Sequence, residues 1–265
     1  MARGYKYKFS IFAIAICVMS SWLLPSKAET SKHSADVFTF VANEWCPQQC
    51  EHELNYKGYV IEVLEAALNE VKASYTIEWV PWSRGLDMVR RGKIDGLIGP
   101  TVEGFPEYHF GKESIGHQEY CFYTNRDSTW TYKKPEDLFG QNIAYLKESG
   151  LGSLEDFFTK NKSKINTHEF IQGNDIITIE FQFLAKNRCD AVILTSDAVQ
   201  YAIGRKTIPD QFRSAGCLGK ETLAIGFSKV NLARSQKISK KLDEGLRAIK
   251  SNGEYYKILK KYNMR

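Results

Sequence analysis

Apolar and polar side chains alternate from Val37 to Val41, the two-residue period of a strand with one buried face. The period then changes. Tyr59, Val60, Val63, Leu64, Ala67, Leu68 and Val71 recur at three- and four-residue steps, which predicts a helix from about Gly58 to Lys72 with one apolar face. Tyr75 to Val80 reads as a strand, Ser83 to Arg91 as a short amphipathic helix and Ile94 to Ile98 as a buried strand. The same alternation restarts with a strand at Asn142–Leu146, helices at Ser153–Asn161 and Ile176–Lys186, a strand at Cys189–Leu194 and a helix at Ser196–Ile203. Strands alternating with helices imply parallel sheets, so the chain holds two α/β units. Two further β-rich runs, Tyr120–Asn125 and Thr222–Phe227, lie between and after these units, and helices at Leu232–Lys250 and Glu254–Tyr262 close the chain. One sheet-like segment leaving the first unit and another returning to it predict two lobes joined by a pair of crossing strands. The cleft between such lobes is a default place for a small ligand.

The first residues have a different character. Arg3, Lys6 and Lys8 precede an almost wholly apolar run from Phe9 to Leu24, and Ser26-Lys27-Ala28 supplies small residues where a peptidase would cut. Residues 1–28 are expected to be a cleavable signal peptide, because the apolar run is shorter than the roughly 20 residues a spanning helix needs. Removing them takes away four basic residues and no acidic one, so Lys+Arg falls from 36 to 32 against 31 Asp+Glu. The basic balance thus belongs to the targeting segment, and nothing in the mature chain argues for nucleic acid or anionic lipid as a partner. A periplasmic, soluble monomer without stable membrane insertion is the expectation. Cys46, Cys50, Cys121, Cys189 and Cys217 survive maturation, and an odd count in an oxidising compartment leaves at least one unpaired. Cys46 and Cys50 are the best local pair. With His52 they could also be read as a metal cluster, but no second ligand pair follows at a recognisable spacing, so no metal or cofactor is expected.

The chain resembles the type 2 periplasmic solute-binding proteins, in the branch that contains the polar amino acid receptors of ABC transporters. The resemblance rests on Trp45-Cys46-Pro47 followed by Gly58-Tyr59-Val60-Ile61-Glu62-Val63-Leu64, and on Gly92-Lys93-Ile94-Asp95-Gly96. It continues through Glu136-Asp137-Leu138-Phe139-Gly140, Asn187-Arg188-Cys189-Asp190-Ala191-Val192 and Asn252-Gly253-Glu254-Tyr255-Tyr256. It implies an α/β fold of two lobes, the first holding residues 36–125 and 221–265 and the second residues 126–220, closing on a ligand by hinge motion.

The resemblance also implies ligand contacts. Trp45 matches a position where an aromatic ring lies against the ligand, the alternative being packing at the end of the first strand. A Thr in the segment after the buried strand of the first lobe, followed three residues later by an Arg, would clamp a carboxylate. Here Thr101 is present and Gly104 stands in the place of the Arg. Thr195 falls where an Asp that meets an ammonium would be expected, so the α-amino-acid clamp is broken at both charged ends. Arg84, at a helix start, is a substitute for the missing guanidinium, or else a solvated residue paired with Asp87. Trp82 beside it is a second candidate aromatic wall or a core ring. The loop Glu148-Ser149-Gly150-Leu151-Gly152-Ser153 lies between a strand and a helix, where unpaired backbone N–H groups favour an anion and Ser149 can add a hydroxyl. Its alternative is an ordinary capped turn, with Ser153 as N-cap and Asp156 reaching back.

The function expected on these grounds is binding without chemistry. A small polar solute, amino-acid-like or bearing a carboxylate, is held in the cleft for the permease of an ABC transporter. Two alternatives share the fold. One is an enzyme resembling the cyclohexadienyl dehydratases, for which Glu119 or Glu148 would have to serve as general acid. The other is a sensor that docks on a membrane receptor.

Overall fold

The computed structural model describes residues 37–264 except Leu54 and Asn174. The expected signal peptide, residues 1–28, lies outside the described residues. Strands β1 (Val37–Ala42), β2 (Ser74–Trp79) and β3 (Gly96–Thr101) alternate with helices α1 (Tyr59–Glu70) and α2 (Trp82–Arg90). Strand β4 (Gly116–Asn125) leads into β5 (Asn142–Leu146), α3 (Ser153–Lys160), β6 (Asn166–Phe170), α4 (Ile176–Ala185), β7 (Ala191–Thr195) and α5 (Ser196–Gly204). The long strand β8 (Phe212–Phe227) returns, and helices α6 (Leu232–Ser251) and α7 (Glu254–Lys261) end the chain.

All eight strands form one sheet in the order β2-β1-β3-β8-β4-β7-β5-β6. It is mixed rather than parallel. In the first half β1 runs parallel to β2 and β3, and in the second β5 runs parallel to β6 and β7. Each half is completed by an antiparallel strand, β8 on β3 and β4 on β7. Those two strands pair with each other from Gly116↔Leu223 to Asn125↔Phe212, so each begins in one half and ends in the other. The fold is therefore two α/β lobes joined by crossing strands. Cys121 on β4 is disulfide-bonded to its partner in register, Cys217 on β8.

Helices cover both faces of each half, so residues of the inner strands are buried whichever way they point, while the edge strands β2 and β6 keep exposed positions. On one face of the first half, Phe38, Phe40 and Ala42 of β1 pack with Tyr59, Leu64 and Leu68 of α1, Leu242 and Leu246 of α6 and Tyr255 of α7. On the other, Val41 and Leu97 meet Leu86 and Val89 of α2 with Phe105 and Tyr108. The second half repeats this plan. Ala144, Val192 and Leu194 pack with Phe181 and Val199 on one face, and Ile143, Ile193 and Ala191 with Leu154 and Phe158 on the other. Each fully buried Leu or Phe contributes roughly 1.5–3 kcal/mol. Helices α1 and α6 approach so closely that a Cβ on Gly245 would run into the Ala67 backbone carbonyl, which is why a glycine stands in the middle of a long helix.

Helix α1 has no side-chain cap. Its first N–H groups donate instead to the loop before it, Tyr59 to the Pro47 carbonyl at 2.9 Å and Val60 to that of Gln48 at 3.0 Å. Cys46 and Cys50 are disulfide-bonded, as their spacing predicts, and the metal reading of the same residues gives way to this bond. Cys189 is the free cysteine among the described residues; it is buried, and burial pushes its thiol up to about 12. No described helix is long and apolar enough to cross a membrane.

One buried group in the second half is unpaired. Both carboxyl oxygens of Glu180 on α4 lack a hydrogen-bond partner among the described residues, and burial raises its pKa well above the usual carboxylate range. The folded protein therefore keeps a proton on Glu180 that the unfolded chain releases as the pH rises past the ordinary Glu value. This contribution to stability is complete below that value and is lost as the pH rises. The isosteric, uncharged Glu180→Gln variant is expected to gain stability relative to the parent between about pH 5 and about pH 8. Urea unfolding at the two pH values measures the difference; equal differences at both would mean Glu180 is ionised in the fold.

Candidate functional site

A cavity of about 50 Å³ lies between the halves, lined by Asn43, Trp45, Gln49, Trp82, Tyr120, Leu146, Lys147, Ser149 and Gln172. It exceeds the roughly 10–15 Å³ that one water requires. Its walls come from the carboxyl ends of parallel strands. Asn43 follows β1, Leu146 and Lys147 end β5, and Gln172 follows β6. Ligands favour such ends in open α/β sheets, because the strands stop there and loops diverge.

The loop after β1 is fixed tightly. Trp45 N–H donates to the Gln49 carbonyl at 2.8 Å, the N–H groups of Gln48 and Gln49 donate to the Trp45 carbonyl at 3.0 Å, and the Cys46–Cys50 bond closes the turn. This sets Trp45 and Gln49 side by side. Gly99, at φ +85°, lacks the side chain that would collide with the Gln49 amide. Asn43 Nδ2 donates to the Glu44 carbonyl at 3.3 Å, which directs Oδ1 elsewhere.

Three buried polar atoms at this cavity have no partner among the described residues: Asn43 Oδ1, Gln49 Oε1 and Ser149 Oγ. A buried polar group without a hydrogen bond costs about 1–3 kcal/mol, and here all three belong to residues that line one cavity. The polar hydrogens of the aromatic walls are already used, those of the two indoles across the halves. Trp45 Nε1 donates to Thr195 Oγ1 at 3.1 Å, Trp82 Nε1 to the Glu148 carbonyl at 2.7 Å, and the Tyr120 hydroxyl to the Ser149 carbonyl at 2.7 Å. Gln172 Nε2 is likewise held by the Glu44 carbonyl at 3.3 Å.

Of the residues proposed from the sequence, Trp45, Trp82 and Ser149 line this cavity. Thr195 touches it only through Trp45, as the acceptor of the indole N–H. Thr101 is 1% exposed and accepts a hydrogen bond from Gly104 N–H at 3.1 Å, so its hydroxyl shapes the turn. Arg84 is not brought to the cavity. It is 65% exposed, 3.9 Å from Glu78 on β2, and Asp87 pairs with Arg91 at 2.7 Å instead. Only the first residue of α2, Trp82, points back at the second half.

The loop at 148–153 also differs from expectation. Helix α3 starts without a side-chain cap, Gly152 is its N-cap residue rather than Ser153, and the loop's N–H groups are answered by Glu155, not by Asp156. Hydrogen bonds from Leu151 and Gly150 N–H pull the Glu155 pKa down against the larger upward effect of burial. An internal carboxyl thus occupies the place an anion would take. Gly150, at φ +82°, packs on the Phe105 ring, and its carbonyl lies against Gly104. This contact excludes a side chain at the position where the resemblance implies an Arg. Neither Glu119 nor Glu148 lines the cavity.

Asn43, Gln49, Tyr120, Lys147 and Gln172 line the site without having been singled out. The signal was available for three of them, since Asn43 and Lys147 follow predicted strands and Gln49 lies four positions from Trp45. Below the cavity runs a second polar cluster. Asp197 at the start of α5 accepts from Gln48 Nε2 at 3.0 Å, and Gln48 Nε2 also donates to Gln118 Oε1 on β4 at 3.2 Å. Burial pushes the Asp197 carboxyl up, opposed by Gln48, Thr195 and the Ala198 N–H. A larger hollow of about 450 Å³ lies beside Asp197, Tyr201 and Arg205, but its charges are already paired, Arg205 with Glu53 at 2.8 Å.

The model of bacterial extracellular solute-binding proteins, family 3, matches residues 39–265. Solved structures share the fold. A variant of ArgBP from T. maritima is 19% identical with a TM-score of 0.67, over 86% of this chain and 96% of that one. A putative L-cystine ABC transporter protein from Listeria monocytogenes is 19% identical with a TM-score of 0.69, over 86% and 95%. A histidine kinase sensor domain with similarity to periplasmic binding proteins is 15% identical with a TM-score of 0.69, over 85% and 95%.

The Gly104–Gly150 contact predicts how the halves respond to bulk. Gly104→Val places methyl groups against a backbone carbonyl that cannot turn away, and overpacking of this kind costs about 1–3 kcal/mol. The expected result is a shift of about 5- to 150-fold from closed towards open, seen as a larger radius of gyration in small-angle X-ray scattering. An unchanged radius would show that the halves do not separate at this contact.

Proposed function

Because the chain belongs to the bacterial extracellular solute-binding proteins, family 3, we propose that it captures a small polar solute between its two lobes in the periplasm and presents it to the permease of an ABC transporter. The lobes that close are residues 36–125 with 221–265, and residues 126–220. The observation that carries this reading is the cavity itself, on whose lining residues the buried Asn43 Oδ1, Gln49 Oε1 and Ser149 Oγ have no partner among the described residues while three bonds across the halves hold the walls together. A bound solute would satisfy those atoms and so stabilise the closed form. Closure is the signal a permease can read, because it changes the surface on the lobes' outer faces without any chemistry inside.

Trp45, Trp82 and Ser149 contact the solute in this reading. Thr195 holds Trp45, and Thr101 and Gly150 hold the turn and loop that meet at the cavity mouth. An anionic ligand is the expectation that Arg84 and the 148–153 loop raise in the sequence, and both are committed elsewhere. No lining carboxyl supports the dehydratase reading. The sensor reading has one observation in its favour, the likeness to a histidine kinase sensor domain.

Thermal denaturation of the mature chain against a library of small solutes tests the proposal. The right solute at 100 times its dissociation constant adds about 2.7 kcal/mol, a rise of about 5–10 °C for a chain of this size. Deleting the gene should then abolish uptake of that solute by cells. No shift with any solute would sink the binding reading. Binding with uptake unchanged would move the protein to the sensor reading.

A further inference from the structure

Resting on the solute-binding reading above, we infer that the cavity is built for an uncharged ligand of the amide or urea class, which both donates and accepts hydrogen bonds, and not for an amino acid zwitterion. The inventory of its lining carries the inference. The indoles of Trp45 and Trp82, the Tyr120 hydroxyl and one Gln172 N–H are given to protein oxygens. What remains on the lining residues is of both kinds: Asn43 Oδ1 and Gln49 Oε1 accept, Gln49 Nε2 donates, and the Ser149 hydroxyl can do either. A ligand that offers a donor and an acceptor side by side is the complement of this set. Gln49 makes no side-chain hydrogen bond to any described residue through either end of its amide, and a primary amide pairs best with another group that offers a donor and an acceptor side by side.

The charges point the same way. No acidic residue lines the cavity, so a ligand ammonium would have no counter-ion. The one lining cation, Lys147, is 60% exposed and 3.9 Å from Glu169, an arrangement at the rim rather than in the pocket. The Arg position is closed by the Gly104–Gly150 contact, and the loop N–H groups that could hold a carboxylate are turned to Glu155. A zwitterion would thus bury two charges without partners, which costs several kcal/mol per ion. An uncharged amide leaves no charge unpaired beside Gln49, Ser149 and the indoles of Trp45 and Trp82.

Isothermal titration calorimetry of the mature chain with two sets of probes tests this. One set is urea, acetamide and nicotinamide together with small uncharged amides and heterocycles; the other is L-arginine, L-glutamate, L-cystine, succinate and simple amines. Binding is expected in the first set, changing by less than about twofold from low to high salt, because no charge pair is formed or screened. Ser149→Ala, which removes only the hydroxyl, should weaken that binding by about two- to tenfold, and Gln49→Leu by more, with circular dichroism confirming the fold. Arg84→Ala should leave it unchanged. Tighter binding in the charged set, or site variants that bind the uncharged probes like the parent, overturns the inference and leaves the solute-binding reading standing. Binding in neither set overturns both.

Discussion

The antiparallel pairing of β4 with β8 is the constraint on which the rest depends. Through it one sheet runs across both lobes, because each of these strands supplies the fourth position of one half-sheet after starting in the other. Without that pairing β8 and β4 would present bare edges to water, and the strand ends that wall the cavity would not face one another. The Cys121–Cys217 bond fastens the pair where the sheet passes from one half to the other, just below Tyr120. Stiffness at that point leaves relative motion of the halves to the turns and register shifts flanking it, near Glu119 and Tyr123.

The two halves are tied at the cavity by few polar hydrogens. The indoles of Trp45 and Trp82 and the Gln172 amide each donate to an oxygen of the facing half. An N–H given to that contact is one the cavity lining cannot offer elsewhere.

The elements with strong periods were legible in the sequence: α1, β1, β5 and α6 fall within a residue or two of expectation because burial of one face demands the pattern. The edge strand β6, Asn166–Phe170, was not, since its side chains are largely exposed and only its backbone is held, by β5. The first half of β8 was hidden for a similar reason, being polar on alternate residues and crossing between halves. At the site, Trp45, Trp82 and Ser149 were readable as wall and loop groups, whereas Arg84 misled. Position on a helix's first turn fixes a side chain's direction only to within a third of a turn, and Trp82 took the inward place. The missing Arg at Gly104 was visible as a residue; its cause was not, because the Gly150 carbonyl that fills the space comes from a loop 46 positions later.

The crossed strands also bear on the order in which the protein can be made. The first half is built from residues that emerge early, yet its sheet lacks a strand until Leu223–Phe227 arrives, and its main core is open until α6 and α7 pack on α1. An N-terminal fragment ending at Asn125 would expose the edge of β3 and the apolar face of α1. The second half has no such debt, since its strands and cores come from residues up to Ala215. The half whose residues are made first is thus the last to be finished, a delay built from contacts that span most of the chain.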